Sequence, residues 1–202
     1  MPVIRTVAGP ATVEIDKIKG SRFVADVAPA ASEAAAAAVV EAIRLREPAA
    51  SHHCWAYVLS SGRARSSDDG EPGGTAGAPI QRHVEGSGLV DLVVVVTRWF
   101  GGTKLGTGGL IRAYGAAAAA VLDAVGVVER PVVSGFALRH DYDLTGVVEG
   151  VLAAFDAETE EARYTAAVDL RVAVDADRAD DFAAAVVEAT AGRVSPQPTR
   201  AG

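Results

Sequence analysis

Residues Leu92 to Leu122 read LVVVVTRWFGGTKLGTGGLIRAYGAAAAAVL. The run opens with uninterrupted apolar residues from Leu92 to Val96, passes through Gly101, Gly102, Gly106, Gly108 and Gly109, and resumes as an apolar-periodic stretch from Leu110. That order is strand, glycine loop, helix. Because the opening run has no polar alternation, it predicts a central strand buried on both faces. From Arg98 to Leu122 the only charged side chains are Arg98, Lys104 and Arg112, in a chain of formal net charge −7. The first turn of a helix leaves N–H groups unpaired and carries the positive end of the helix dipole, so glycines that permit close approach make an anion seat there. The predicted site is therefore Arg98, Gly101, Gly102, Lys104, Gly106, Gly108, Gly109 and Arg112, receiving phosphate of a nucleic acid or nucleotide.

Neither common nucleotide motif is present. Lys104 precedes Leu105 inside the loop, whereas a P-loop needs Lys followed by Ser or Thr after its last glycine. Ile111 stands where the dinucleotide pattern needs its third glycine. The structural alternative is that these glycines only make a tight turn and let the helix lie close to the sheet.

The 202 residues, 50% hydrophobic and 22% charged, describe a globular chain of one large or two small domains. Basic and acidic residues balance through Arg130, so all the excess acid falls on the last third. This weakens any claim of general polyanion binding through long-range steering and restricts a nucleic-acid partner to one local basic patch on the first part. The single Cys54 excludes an intramolecular disulfide. MPVIRTVAG has no signal-peptide pattern, and no uncharged apolar run approaches the roughly 18 residues of a membrane span, so a cytoplasmic protein with no membrane partner is expected.

The segment VGVVERP, Val125 to Pro131, follows the alanine-rich helix and precedes the change in charge balance, which sets domains at 1–130 and 131–202. In the first, Thr12 to Asp16 and Arg22 to Ala28 read as strands around Lys19-Gly20. Ser32 caps a helix with apolar Val39, Val40, Ile43 and Leu45, ended before Pro48. His52 to Leu59 alternates as a strand, Ser60 to Gly70 is turn-rich, and Ala76 to Glu85 is a short helix. The second domain reads strand, helix, strand, strand, helix, strand: Val132 to Leu138, a helix capped by Asp143, an alternating strand from Tyr164 to Val174, a helix capped by Asp177, and a short strand at Arg193 to Ser195. That order is the ferredoxin-like split βαβ pattern, so the fold class is α+β.

RSSDDGEPGGTAGAP, Arg65 to Pro79, places Asp68, Asp69 and Glu71 beside hydroxyls and glycines. Such carboxylates can bind Mg²⁺ through hard oxygens or act as an acid/base pair, but the spaced geometry of a calcium loop is missing. The alternative is a turn whose side chains cap backbone N–H groups. Ser66, Ser67 and Thr75 are candidate phosphate donors, with Arg63 and Arg65 nearby. In SHHCWAY, strand alternation sends His52 and Cys54 to one face and His53, Trp55 and Tyr57 to the other, too few converging ligands for zinc without His83 or His140. His53, Trp55 and Tyr57 are expected to pack beneath a helix, with base stacking as the functional alternative, and Cys54 to be an inert core thiol.

RSSDDGEPGGTAGAPI and VVVVTRWFGGTKLGTGGLIRAYGAA, with SRFVADVAP and HHCWAYV ahead of them, closely resemble the IMPACT/YigZ family from about Ser21 to Ala124. The resemblance implies a first domain with the βαβ fold shared by elongation factor G domain IV, a small-subunit ribosomal protein and the GHMP kinases. It implies a second, smaller ferredoxin-like domain similar to the C-terminal domain of elongation factor G. The family's motif positions fall on Asp68, Asp69, Gly70, Glu71 and Pro72, and on Arg98, Gly101, Gly102, Leu105, Gly106, Gly108, Gly109, Arg112, Ala113 and Tyr114. Trp99 stands where members often have Tyr. Eukaryotic members regulate translation by competing for a ribosome-associated activator of an initiation-factor kinase, so the implied role is a non-enzymatic one with RNA, the ribosome or a regulatory protein as partner. No cofactor is expected under this reading. Two alternatives stay open: a Mg²⁺-dependent enzyme acting on a phosphorylated small molecule, and a protein–protein adaptor.

Overall fold

The strand predicted from Leu92 runs to Trp99 (β6) and lies in the middle of a five-stranded sheet. In this computed structural model, which describes residues 3–199, the chain divides into two compact units, the first Ile4–Arg130 and the second from Pro131 onward, to which Val3 is also assigned. The first unit's strands are β1 (Val3–Val7), β2 (Ala11–Ile18), β3 (Ser21–Pro29), β4 (His52–Val58), β5 (Ala64–Ser67), β6 and β7 (Val127–Pro131). The large sheet has the order β2-β3-β6-β4-β5 with every neighbouring pair antiparallel, and β1 pairs with β7 separately.

Three helices cover the sheet: α1 (Glu33–Arg46), α2 (Gly77–Ser87) and α3 (Thr107–Ala124). The strand period of two explains why β6 is apolar throughout. Leu92, Val94 and Val96 join the core under α2 and α3, with Phe23, Cys54, Ile80 and Tyr114. Val93 and Val95 join a second core under α1, with Ala36, Val40, Ile43 and Tyr57. Ala113, Ala117 and Ala118 are fully buried on α3, and their small side chains let that helix lie close to the sheet.

Local signals set several boundaries. The Ser32 hydroxyl accepts the Ala35 N–H at 3.1 Å and caps α1 as expected. Leu45, predicted as a core contact, is 74% exposed because it lies off the Ala36, Val40, Ile43 stripe. The turn-rich Ser60–Gly70 segment contains β5, which pairs with β4 although its ARSS sequence has no apolar alternation. α3 starts at Thr107, earlier than the predicted Leu110, so Gly108 and Gly109 belong to its first turn. Gly106, at φ 75°, makes the entry, and its carbonyl accepts the Leu110 N–H at 2.9 Å.

The second unit contains β8 (Val133–His140), α4 (Thr145–Ala154), β9 (Glu158–Tyr164), β10 (Val168–Asp175), α5 (Ala179–Ala189) and β11 (Gln197–Thr199). Its sheet has the order β11-β8-β10-β9, all antiparallel. Val168, Leu170, Val172 and Val174 of β10 join Phe136, Val148, Phe182 and Val186 in one core. The single strand predicted from Tyr164 to Val174 is two strands. The chain turns at Thr165–Ala167, where the Thr165 N–H donates to the Ala167 carbonyl at 2.9 Å, and Tyr164 faces Val168. Alanine sustains the alternation by composition while the backbone reverses. Asp143 lies in a 3₁₀ turn and pairs with Arg193 at 2.8 Å, making no side-chain cap bond to α4, and Asp177 likewise falls in the 3₁₀ turn before α5. The predicted last strand at Arg193–Ser195 is displaced to β11, which pairs with Gly135–Ala137 of β8. Among the described residues no helix is long and apolar enough to cross a membrane.

Phe182 is fully buried, with Phe136 at 5.3 Å and Phe155 at 5.5 Å between ring centroids. Replacing Phe182 by Ala should cost about 3–5 kcal/mol, measured by chemical denaturation.

Candidate functional site

The acidic turn between β5 and α2 spends its carboxylates on protein donors. Asp68 Oδ1 accepts the N–H groups of Ala76 and Gly77, each at 2.9 Å, and Oδ2 accepts that of Gly74 at 2.8 Å. It thereby supplies the start of α2 with the cap that Ala76 cannot. Burial pushes the Asp68 carboxyl up, but the three amides outweigh it and hold the pKa below its ordinary value. Asp69, at φ 42°, accepts the His53 N–H at 2.6 Å and an Arg44 N–H at 2.6 Å. Gly77 belongs to the same lock, because a Cβ there would lie 2.8 Å from the Ser67 backbone.

Glu71 carries the turn into the core. Its Oε1 accepts from Arg98 Nη1 at 2.6 Å and from the Tyr114 hydroxyl at 2.7 Å, with His52 Nε2 at 3.8 Å. Arg98 Nη2 also donates to Ser21 Oγ at 3.1 Å, and that oxygen accepts the Gly101 N–H at 3.2 Å. Acidic turn, β6, β3, glycine segment and α3 are thus joined by one hydrogen-bonded chain. Burial, then the neighbouring Cys54 and Glu71, push the Tyr114 hydroxyl far up, so it stays protonated and donates to Glu71. Cys54 Sγ donates to the Asp68 carbonyl at 3.0 Å, and burial pushes its thiol up to about 12, which leaves it an inert core thiol at neutral pH.

These partners bear on two of the predicted roles. Asp68, Asp69 and Glu71, read as candidate metal or acid/base residues, instead cap a helix and neutralise a buried cation, and no group of three His, Cys, Asp or Glu among the described residues is placed to hold a metal ion. Arg98, read as one of three surface cations, is 4% exposed and belongs to the interior. Its guanidinium carbon lies 5.6 Å from the Phe23 ring and 5.5 Å from that of Phe100. The reason is its place on β6, whose side chains are buried almost to the strand's end.

The rest of the glycine segment faces outward. Gly101, Gly102, Lys104, Gly106, Gly108 and Arg112 are exposed, Gly109 is half-buried, and Leu105 and Leu110 anchor the segment to the core. Gly106 gives α3 no side-chain cap, and no acidic residue occupies the first turn. Arg112 reaches back over that turn, its Nη1 3.5 Å from where a Cβ on Gly108 would stand. Gly101 has a packing role: a Cβ there would lie 1.9 Å from the Gly20 carbonyl carbon, in the β2–β3 turn. Sequence reasoning missed Phe100, which is 50% exposed beside these glycines with its N–H donated to Ser51 Oγ at 3.0 Å. A large aromatic at a strand end in a glycine loop was the available signal. His53, Trp55 and Tyr57 face α1 as expected, Trp55 and Tyr57 stacked at 5.7 Å.

Comparison with known proteins finds two family models that match the chain. Residues 19–122 match the Impact N-terminal domain, and residues 138–193 match a domain of unknown function, DUF1949. The chain is 38% identical over 190 residues to the IMPACT family member YigZ of Escherichia coli K12, covering 92% of each. It is 35% identical over 178 residues to the IMPACT family member YvyE of Bacillus subtilis 168, covering 87% of this chain and 82% of the relative. A Thermus thermophilus IMPACT family member is 45% identical over 147 residues, covering 72% of this chain and 79% of the relative. A solved structure described as a hypothetical protein superposes with a TM-score of 0.75 at 33% identity, covering 100% of both chains.

Glu71→Ala strands the Arg98 charge in the core and should cost about 3–5 kcal/mol, while Tyr114→Phe, which leaves the ion pair, should cost about 1.5–3 kcal/mol in urea unfolding. Asp68→Asn turns an amide group toward N–H donors and should cost about 1–3 kcal/mol at pH 7. Because the folded Asp68 pKa lies below its unfolded value, the wild-type advantage is complete above about pH 4 and is lost as pH falls through the folded value, so the two stabilities should converge in acid.

Proposed function

The chain belongs to the IMPACT family, and from that premise we propose that it is a translation-associated regulatory protein that binds RNA or the ribosome through the outward rim of its glycine segment. The observation that carries this reading is the start of α3, whose first turn has no side-chain cap or acidic residue, with Arg112 laid over Gly108 and Lys104 exposed in the preceding loop. Amides, dipole and two cations together make a seat for a phosphate oxygen. Exposed Phe100 in the same segment offers a face for a base, which favours RNA over an acidic protein.

The fold kinship belongs to the same proposal. The first unit is assigned the elongation factor G domain IV and GHMP kinase type of βαβ domain, supported by β3-α1-β4 with β6 between its two strands. The second is assigned as ferredoxin-like, supported by its element order and its β11-β8-β10-β9 sheet. Cytoplasmic placement belongs to the same proposal. Binding is favoured over Mg²⁺-dependent chemistry on a phosphorylated small molecule, because Asp68, Asp69 and Glu71 are each engaged by protein donors.

Binding to single-stranded RNA and to purified ribosomes should weaken with salt, and Lys104→Ala/Arg112→Ala should weaken it across sequences and reduce the logarithmic salt slope by about 1.4 for single strands. Unchanged affinity and slope in the double variant would overturn the reading.

A further inference from the structure

Arg112 does not end at the helix start. On its other side it lines a groove of about 460 Å³ between α2 and α3, together with Arg82, His83, Ile111 and Gly115. Arg82 and His83 project from α2 and are exposed, and no carboxylate lines the groove. The nearby Glu85 of α2 is engaged with the Gln81 amide at 2.7 Å. The groove lining therefore gathers two guanidiniums and an imidazole with no carboxylate among them, and it is continuous through Arg112 with the uncapped turn of α3.

Gly115 makes the groove a built feature. It interrupts α3 just before Ala116 to Ala120, where alanine would be preferred by about 1 kcal/mol. A Cβ at this position would stand 2.9 Å from His83 Nε2. Glycine lets the imidazole approach α3, with its Nε2 beside the Gly115 backbone. That use of a costly residue has no explanation in the helix itself.

Resting on the reading above, we propose that this groove is the track of a single RNA strand, whose backbone passes from the start of α3 along Arg112 to Arg82 and His83. Guanidiniums and the ring N–H donate to successive phosphate or ribose oxygens, and exposed Ile111 supplies apolar surface for a sugar or base. The concave space between two helices has the size of a site for one small organic unit, which suits a single sugar or base of a strand.

The test is fluorescence anisotropy of the full chain with a fluorescein-labelled twelve-nucleotide oligouridylate at low salt, with thermal melting of every variant. Arg82→Ala/His83→Ala should weaken binding about tenfold and lower the salt slope, the exposed positions leaving the melt unchanged. Gly115→Ala should weaken binding while keeping or raising the melting temperature, a combination that a merely structural glycine does not produce. Wild-type affinity in both variants, with Lys104→Ala still impaired, would overturn the groove and leave the glycine rim standing. An absence of binding by the wild type would overturn the parent reading and the groove with it. Equal losses when labelled poly-glutamate replaces RNA would make the groove a general anion surface and overturn its assignment to RNA.

Discussion

A guanidinium and a carboxylate, both removed from water, hold the first unit together. Moving such charges into a protein interior costs several kcal/mol per ion, and the cost is met only where geometry and additional hydrogen bonds are good. Here Glu71 Oε1 receives both Arg98 and Tyr114, Arg98 also reaches Ser21, and aromatic rings flank the guanidinium. Each partner comes from a different element, so the pair forms only when turn, β3, β6 and α3 are all in place. A buried pair of this kind selects one arrangement of the core, because any register that separates the partners leaves a bare charge inside.

The lock also explains how a binding surface and a rigid interior share one motif. Inward residues of the two signature segments, Glu71, Arg98 and Tyr114, bond to one another and Asp68 caps α2, while Lys104, Gly108 and Arg112 stay at the surface. Gly101 pressed against Gly20 and Leu105 packed into the core tie the loop at two points. Amides at the head of α3 are thus presented in a set geometry, and less ordering is required when an anion arrives.

Charge along the chain is a poor guide to charge on a face. The last third is strongly acidic, yet Arg139, Arg163 and Arg171 gather with Asp169 and Glu161 along one groove of the second unit's sheet, where Arg139 pairs with Asp169 and Arg163 with Glu161. In the first unit, charges that balance in sequence separate in space, with the acidic turn consumed internally and cations left on the α2–α3 side. Partner arguments from net charge therefore hold only after each ionised group has been assigned its neighbours.

Periodicity and local chemistry were enough to place the two-faced strand at Leu92, the Ser32 cap, the glycine entry to α3 and the order of elements in the second unit, since these depend on residues within a few positions of one another. They misplaced the turn at Thr165–Ala167 and overlooked β5, where alternation is silent or misleading and only pairing with a neighbour defines the strand. Composition showed that Arg98, Lys104 and Arg112 were unopposed nearby in sequence, but the carboxylate that neutralises Arg98 lies 27 positions away. Which cations face water, which carboxylates are already bonded, and why Gly101 admits no side chain were settled by contacts between distant segments. Pairing of that kind depends on how the chain closes in three dimensions, and no short window of sequence contains it.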